Sequence, residues 1–587
     1  MSAFQFPITA GALIQARNRT RFRFFAPAQE RVALMVEDWD PIPMQRDEAG
    51  WFTVEAECGA GARYRYRLQD GLLVPDPASR LQTPDVHDRS IVHDAETYAW
   101  RCPEWKGRPW QDSVIYELHT GLLGGYAGVA EHLPAIADIG VTAIQLMPIA
   151  DFPGRRSWGY DGVLPFAPDT AYGDPHDLKA LIDRAHELGL NIFLDVVYNH
   201  FGPDGSYLHA YAPDFFREDI ETPWGAALDF RHPELRRFFK ENVLYWLMEY
   251  RFDGLRFDAV HAIHDGDWLD EVGQAVRETV EEGRHVHLIL ENEHNDPEPL
   301  GGPFDGQWND DFHHCVHVLL TGESAGYYGG FTEGTTQKLA RSLAQGFVYQ
   351  GETPPGSDEP RGGASAHLPP TAFVNHLQNH DQIGNRAFGE RLTTLADKPA
   401  LEAAIALLLL APQIPMIFMG EETGSTEPFL FFTDHHPGLA PLVRDGRRKE
   451  FAAFPEFADP HKREMIPDPN DPETFERSRP VIAGEGGDMA REDLYRTLLG
   501  IRRTRIAPHL DGVESMGAEV IGDKAVIARW RLSYGGVMTL ACNLSSDPVK
   551  PPGKVFPEVA PSHWVGRGMV RRELQGHSTI LWLEENA

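Results

Sequence analysis

HDLKALIDRAHELGLNIFLDVV (176–197) is an amphipathic helical stretch, residues 176–189, running into an uninterrupted apolar strand, NIFLDVV at 191–197. The same succession returns when ELRRFFKENVLYWLMEY (234–250) leads into GLRFDAV (254–260). Further apolar strand candidates lie on either side: SVIYELH (113–119), AIQLMPI (143–149), HLILENE (287–293), FDGQWND (304–310), AFVNHLQNHD (372–381) and IPMIFMG (414–420). Apolar runs of this length bounded by helical stretches are strands buried on both faces. Eight of them alternating with helices predict a closed parallel (β/α)8 TIM barrel rather than an open doubly wound sheet, an α/β class. LYRTLLGIRRTR (494–505) supplies an eighth helix.

Outside this core the rhythm is different. ARNRTRFRFFAP, RVALMVED, GWFTVEAE and ARYRYRLQDG alternate with period two and are separated by Gly, Pro and Asp, which predicts an N-terminal β-sandwich over residues 1–100. The barrel is expected over 101–511. GAEVIGDKAVIARWRLSYGGVMTLACNLSS and STILWLEE predict a C-terminal antiparallel β-domain over 512–587. The segments 350–370 and 457–492, rich in Gly, Pro and charge, are expected to be long surface loops. No repeat of fixed period is present.

Bulk properties remove whole classes of function. With 54 Lys and Arg against 87 Asp and Glu, the net charge is −33, which repels phosphate backbones and anionic lipids. Neither nucleic acid nor membrane is expected as a partner; a neutral sugar is unaffected. The most apolar stretch, 403–419, is broken by Pro412, Gln413 and Pro415 and reads as a buried helix followed by a buried strand. Cys58, Cys102, Cys315 and Cys542 are dispersed and suit a reducing compartment, and the N-terminus shows no basic-then-apolar leader, so a cytoplasmic location is expected. Phosphate-loop and dinucleotide fingerprints are absent, and no cofactor is implied.

In a (β/α)8 barrel the reactive groups stand at the C-terminal ends of the strands. There the third strand offers Asp195, Asn199 and His200; the fourth, Arg256, Asp258 and His261; the fifth, Glu291; the seventh, His380 and Asp381. Several carboxylates converging on one mouth with histidines and an arginine suit glycoside hydrolysis. A retaining pair needs two carboxyls roughly 5–5.5 Å apart. Asp258 and Glu291 lie on adjacent strands, whose axes run about 4.8 Å apart. Asp258 is read as the nucleophile. Glu291, flanked by LIL, is read as an acid with a raised pKa. Arg256, two residues before Asp258, shares its side of the strand; a satisfied ion pair and a functional role stand level for it. Asp195 and Asn199 are expected to organise the strand-three loop.

DVVYNH, GLRFDAVHAI, LILENE and FVNHLQNHDQIGN resemble, in order, the four short motifs of the α-amylase superfamily of glycoside hydrolases. PGRRSWGYDGV, TPWGAALDF, GQWNDDFHHCVHVLLTGE, QNHDQIGNRAFGERL, PMIFMGEE and PFLFFTDH are similar, within it, to the maltooligosyltrehalose trehalohydrolase family. The resemblance implies a retaining hydrolase. It would cut the α-1,4 bond next to the terminal trehalose of maltooligosyltrehalose, with related α-glucans as the partner class. Asp258 would be nucleophile, Glu291 acid/base and Asp381 the third catalytic carboxylate. It also implies sugar-contacting roles for His200, Arg256 and His380. The short interval from His200 to the helix near Glu234 leaves no room for the large calcium-binding insert of many α-amylases, and no metal site is expected.

Further substrate contacts are expected from Tyr160, His261, Gln382 and Arg386, and from Asp310, Asp311, His313 and His314, read as a substrate-binding loop past the sixth strand rather than a metal site. Trp158 either stacks on sugar or packs under its loop. Two other functions fit the same fold: a glucan-branching transglycosylase, which would form α-1,6 branches, and a scaffold without catalysis, against which the intact carboxylates speak. Oligosaccharide length, oligomeric state and protein partners are left open.

Overall fold

The computed structural model describes residues 4–222, 225–454, 457–551 and 553–585. Eight parallel strands close into a barrel: β1 (Ile115–Leu118), β2 (Ala143–Leu146), β3 (Asn191–Val196), β4 (Gly254–Phe257), β5 (His287–Leu290), β6 (Gly306–Trp308), β7 (Phe373–His376) and β8 (Ile414–Phe418). All eight coincide with the apolar runs of the sequence, and every residue in them is buried. β1 pairs with both β2 and β8, which closes the ring. Ile115, Phe193, Ile289, Trp308, Val374 and Met416 fill its interior, so the barrel is a packed core with no pore.

Local signals start the helices that brace it. Asp174 forms a capping box with Asp177 ahead of the helix Pro175–Glu187. His232 caps, and Pro233 opens, the helix Pro233–Met248. The helix Lys398–Leu410 is apolar on nearly all sides because it is covered twice. Barrel elements lie on one flank, and the C-terminal sheet lies on the other, where Thr579 donates to the carbonyl of Ala403 at 2.7 Å.

The N-terminal region forms two antiparallel sheets, one built on Gly11–Ala16, Arg19–Phe25 and Trp51–Ala56, the other on Ala33–Val36 and Arg63–Arg67. It is tied to the barrel by backbone amides of Phe6 and Thr9, which donate to Glu249 and Glu241. A five-stranded antiparallel sheet, from Glu514–Gly522 to Ser578–Glu584, closes the chain. The segment 457–492 differs from the expected loop: it holds two short helices, Pro460–Glu464 and Pro472–Glu476, each begun by an Asp cap followed by Pro. Among the described residues no helix is long and apolar enough to cross a membrane.

Candidate active site

Parallel register sets the centre of the site. Phe257 pairs with Leu290, so the next residues, Asp258 and Glu291, leave neighbouring strands at the same height. Beneath them Arg256 is wholly buried, 0% exposed, with its guanidinium 4.0 Å above the Trp308 ring. One terminal nitrogen lies 2.6 Å from Asp195 Oδ2 and 2.9 Å from Asp258 Oδ1; the other lies 2.7 Å from Glu291 Oε2. A single fixed cation thus holds three carboxylates. Asn199 donates to Asp258 Oδ2 at 2.8 Å and to its carbonyl at 3.0 Å, fixing the second oxygen. Asp195 also accepts from the Tyr160 hydroxyl at 2.7 Å. Asp195 and Asn199, expected to organise the strand-three loop, instead direct their side chains at Arg256, Tyr160 and Asp258.

Ala259, directly after Asp258, sits in the left-handed region with φ 40° and ψ 51°. For a residue with a Cβ that conformation costs roughly 1–2 kcal/mol. It aims the Ala259 amide at Glu291 Oε2, 2.7 Å away. Strain held at this position ties the two strand ends together. Burial raises the Glu291 carboxyl above its usual range; Arg256 opposes the rise and Asp258 adds to it.

On the opposite wall, Asn379 caps the turn that begins at His380 and receives the Asp381 amide at 2.9 Å. His380 Nδ1 lies 2.7 Å from Glu117 Oε1, and its Nε2 lies 3.5 Å from Asp381 Oδ2. Burial alone would lower this imidazole, but Asp381 and Glu117 outweigh it and raise it to about 9. It is a cation at neutral pH. Burial raises Asp381, opposed by His380. The Tyr160 ring stacks on His380 at 5.1 Å. His200, lowered to about 4 by burial, turns its Nε2 to the Tyr160 carbonyl at 2.9 Å.

These groups open into a cleft of about 740 Å³. Of the sequence-predicted residues, Asp258, Glu291, Asp381, Tyr160, His200, His261, Asp310, His314, His380 and Gln382 line it. Trp158 packs under its loop, stacked on Phe429 and donating to the Leu430 carbonyl, and it also borders the cleft. Arg256, expected to contact sugar, does not line the cleft and lies under its floor against three carboxylates.

Three further predicted contacts are not part of the wall. Asp311 is buried and accepts the Val348 amide at 2.7 Å and the Asn295 side chain at 3.0 Å. His313 bonds the Leu377 carbonyl and the Tyr328 hydroxyl. The expected loop past β6 is a helix, Asp310–Thr321. Asp310 and His314, one turn apart, reach the cleft, while Asp311 and His313 are taken up by buried partners on neighbouring segments. Arg386 is held by Glu323 at 2.8 Å and Glu390 at 3.1 Å.

Asp310 accepts from Gln382 at 3.3 Å and stands 3.4 Å from His376 Nε2. Burial would raise its carboxyl, yet His376, His314 and Arg361 together bring it down to about 2. Sequence reasoning missed Glu117, whose signal was a lone acid inside the apolar run SVIYELH. It also missed Tyr327, Arg361, Phe431, Arg447 and Glu450 on the rim, which come from loops and from the helix Ala440–Glu450. Nothing in their local sequence marks them.

Residues 93–219 match the alpha amylase catalytic domain family, and residues 514–581 match a domain of unknown function, DUF3459. Malto-oligosyltrehalose trehalohydrolase of Deinococcus radiodurans is 40% identical over 537 residues, 90% of this chain and 88% of that protein. The chain belongs to the malto-oligosyltrehalose trehalohydrolase family. The member of this family from Saccharolobus solfataricus is 42% identical over 73% of this chain and 78% of its own length. A crystal structure from Salmonella typhimurium, described as a candidate alpha amylase, has 42% identity and a TM-score of 0.91, covering 99% of this chain and 100% of that one. The family is one of glycoside hydrolases on the (β/α)8 barrel, as the motifs indicated.

Proposed function

We propose that this protein hydrolyses the α-1,4-glucosidic bond next to the terminal trehalose of maltooligosyltrehalose, releasing trehalose and a maltooligosaccharide. The observation that carries the chemistry is the pairing of Asp258 and Glu291 through one buried guanidinium at the floor of the cleft. The substrate follows from trehalohydrolase relatives that match nearly the whole chain, which favours this reaction over glucan branching.

Asp258 is the nucleophile. Arg256 and Asn199 bind both its oxygens and hold it facing the anomeric carbon. Glu291, with its carboxyl raised by burial, protonates the glycosidic oxygen as trehalose departs. The bond from Asp258 to the anomeric carbon forms as the bond to the leaving oxygen breaks. Glu291, now ionised, takes a proton from water, which attacks the glycosyl-enzyme and releases Asp258 with the starting anomeric configuration. Asp381, braced by cationic His380, accepts hydroxyls of the reacting glucose. Tyr160, His200, His261, Asp310, His314 and Gln382 bind sugar along the walls. The four free cysteines favour the cytoplasm as the site of this reaction.

Chromatography of products from maltopentaosyl-type trehalose substrates and from amylose tests the assignment. Free trehalose with a shortened maltooligosaccharide is expected. New α-1,6 branches on amylose without free trehalose would establish the transglycosylase instead.

A further inference from the structure

At the end of the barrel away from the cleft lies a second cavity of about 320 Å³. Its wall includes Val114 and Thr142, the residues immediately before β1 and β2, together with Arg108, Arg502, Arg503 and Asp112. In a chain of net charge −33, three guanidiniums here face a single carboxylate. That carboxylate, Asp112, is only loosely engaged, 3.9 Å from Arg108.

Of the three arginines only Arg108 has a carboxylate partner, Asp112 at 3.9 Å. Arg502 is buried and spends its donors on backbone carbonyls, among them Ala411 and Gln413, at the end of the helix Lys398–Leu410. Without a counter-charge, burial pulls it down to about 9. Arg108 donates to the Gly189 carbonyl at 3.0 Å, and its Nε is buried with no partner. Arg503 makes neither a hydrogen bond nor an ion pair among the described residues.

The backbone presents these groups by an uncommon device. The α-helix Met489–Ile501 continues as a π-helical turn, Arg502–Ile506. Such turns are rare and concentrate at functional sites; here the wider turn lets consecutive arginines border the same cavity. A neutral sugar has no need of three cations, whereas the guanidinium forks of Arg108 and Arg503 match the oxygens of phosphate, and Arg502, its donors taken by carbonyls, adds positive charge. The volume falls at the lower end of the roughly 300–1,000 Å³ of small-ligand sites.

We propose that this cavity binds a small phosphate-bearing anion, either free phosphate or a monosaccharide phosphate, at a site separate from the catalytic cleft. Isothermal titration of the whole protein with inorganic phosphate and with glucose 6-phosphate, at constant ionic strength, tests it. Saturable binding of at least one probe is expected, weakened tenfold or more by Arg503→Ala and tightened severalfold by Asp112→Asn. Arg503 is exposed, so its replacement leaves the fold and the hydrolysis rate unchanged. If glucose 6-phosphate binds more tightly than phosphate, the ligand is the sugar phosphate; equal affinities identify phosphate itself. Failure of both probes to bind, or binding that both variants leave unaltered, would overturn the proposal.

Discussion

Replacing Glu291 with glutamine isolates proton transfer from folding. The Ala259 amide donates a hydrogen bond to Oε2 of this side chain at 2.7 Å, and the Arg256 guanidinium is ion-paired with the same oxygen at 2.7 Å. The carbonyl oxygen of glutamine accepts the Ala259 hydrogen bond and stays against the guanidinium, so the strained turn at Ala259 and the pairing of Arg256 with Asp195 and Asp258 persist. What disappears is the transferable proton. General acid–base catalysis contributes about 10²–10⁴-fold. Glu291→Gln should therefore lower kcat/KM on maltooligosyltrehalose by that factor, about 2.7–5.4 kcal/mol of barrier. A maltooligosyl fluoride needs little protonation to depart, so formation of the glycosyl-enzyme from it should be nearly as fast as in the unaltered protein. The decisive assay compares pre-steady-state release of fluoride with release of trehalose. Equal losses on both substrates, or a loss under tenfold on the trehaloside, would refute the assignment of Glu291 as proton donor.

Arg256→Met leaves Asp195, Asp258 and Glu291 facing one another without their cation. Breaking a buried ion pair by removing one partner costs about 3–5 kcal/mol, so the urea midpoint of the barrel's unfolding transition should fall clearly, with loss of activity. His380 has a folded-state pKa of about 9, above its ordinary 6.5. Its contribution to stability is complete below about 6.5 and is lost as pH rises through about 9. Glu117→Gln removes the carboxylate 2.7 Å from His380, so the alkaline fall in thermal stability should begin at lower pH than in the unaltered protein; coincident profiles would contradict the coupling. Arg386→Ala breaks partly exposed pairs outside the cleft wall, so KM for maltooligosyltrehalose should change less than twofold. A large rise in KM would return Arg386 to the substrate groove.

The sequence by itself determined the architecture. Period-two and period-3.6 patterns depend on burial by each element's own neighbours, so the eight strands of the barrel and the sheets before and after it were legible as apolar runs. It also determined the strand-end carboxylates, because Asp258, Glu291 and Asp381 each follow directly from a strand or its first turn and the barrel gathers all such ends on one face. The tertiary structure alone decided which polar residues turn to the cleft. Asp310 and Asp311 are adjacent and chemically alike, yet the helical phase of Asp310–Thr321 sends one to the wall and the other into the core. It decided, too, that Arg256 serves three carboxylates at once, and that Glu117, far away in sequence, joins Asp381 in making His380 a cation. Such roles depend on distances between segments separated by tens to hundreds of residues, and those distances are set by packing, which leaves no local trace in the order of residues.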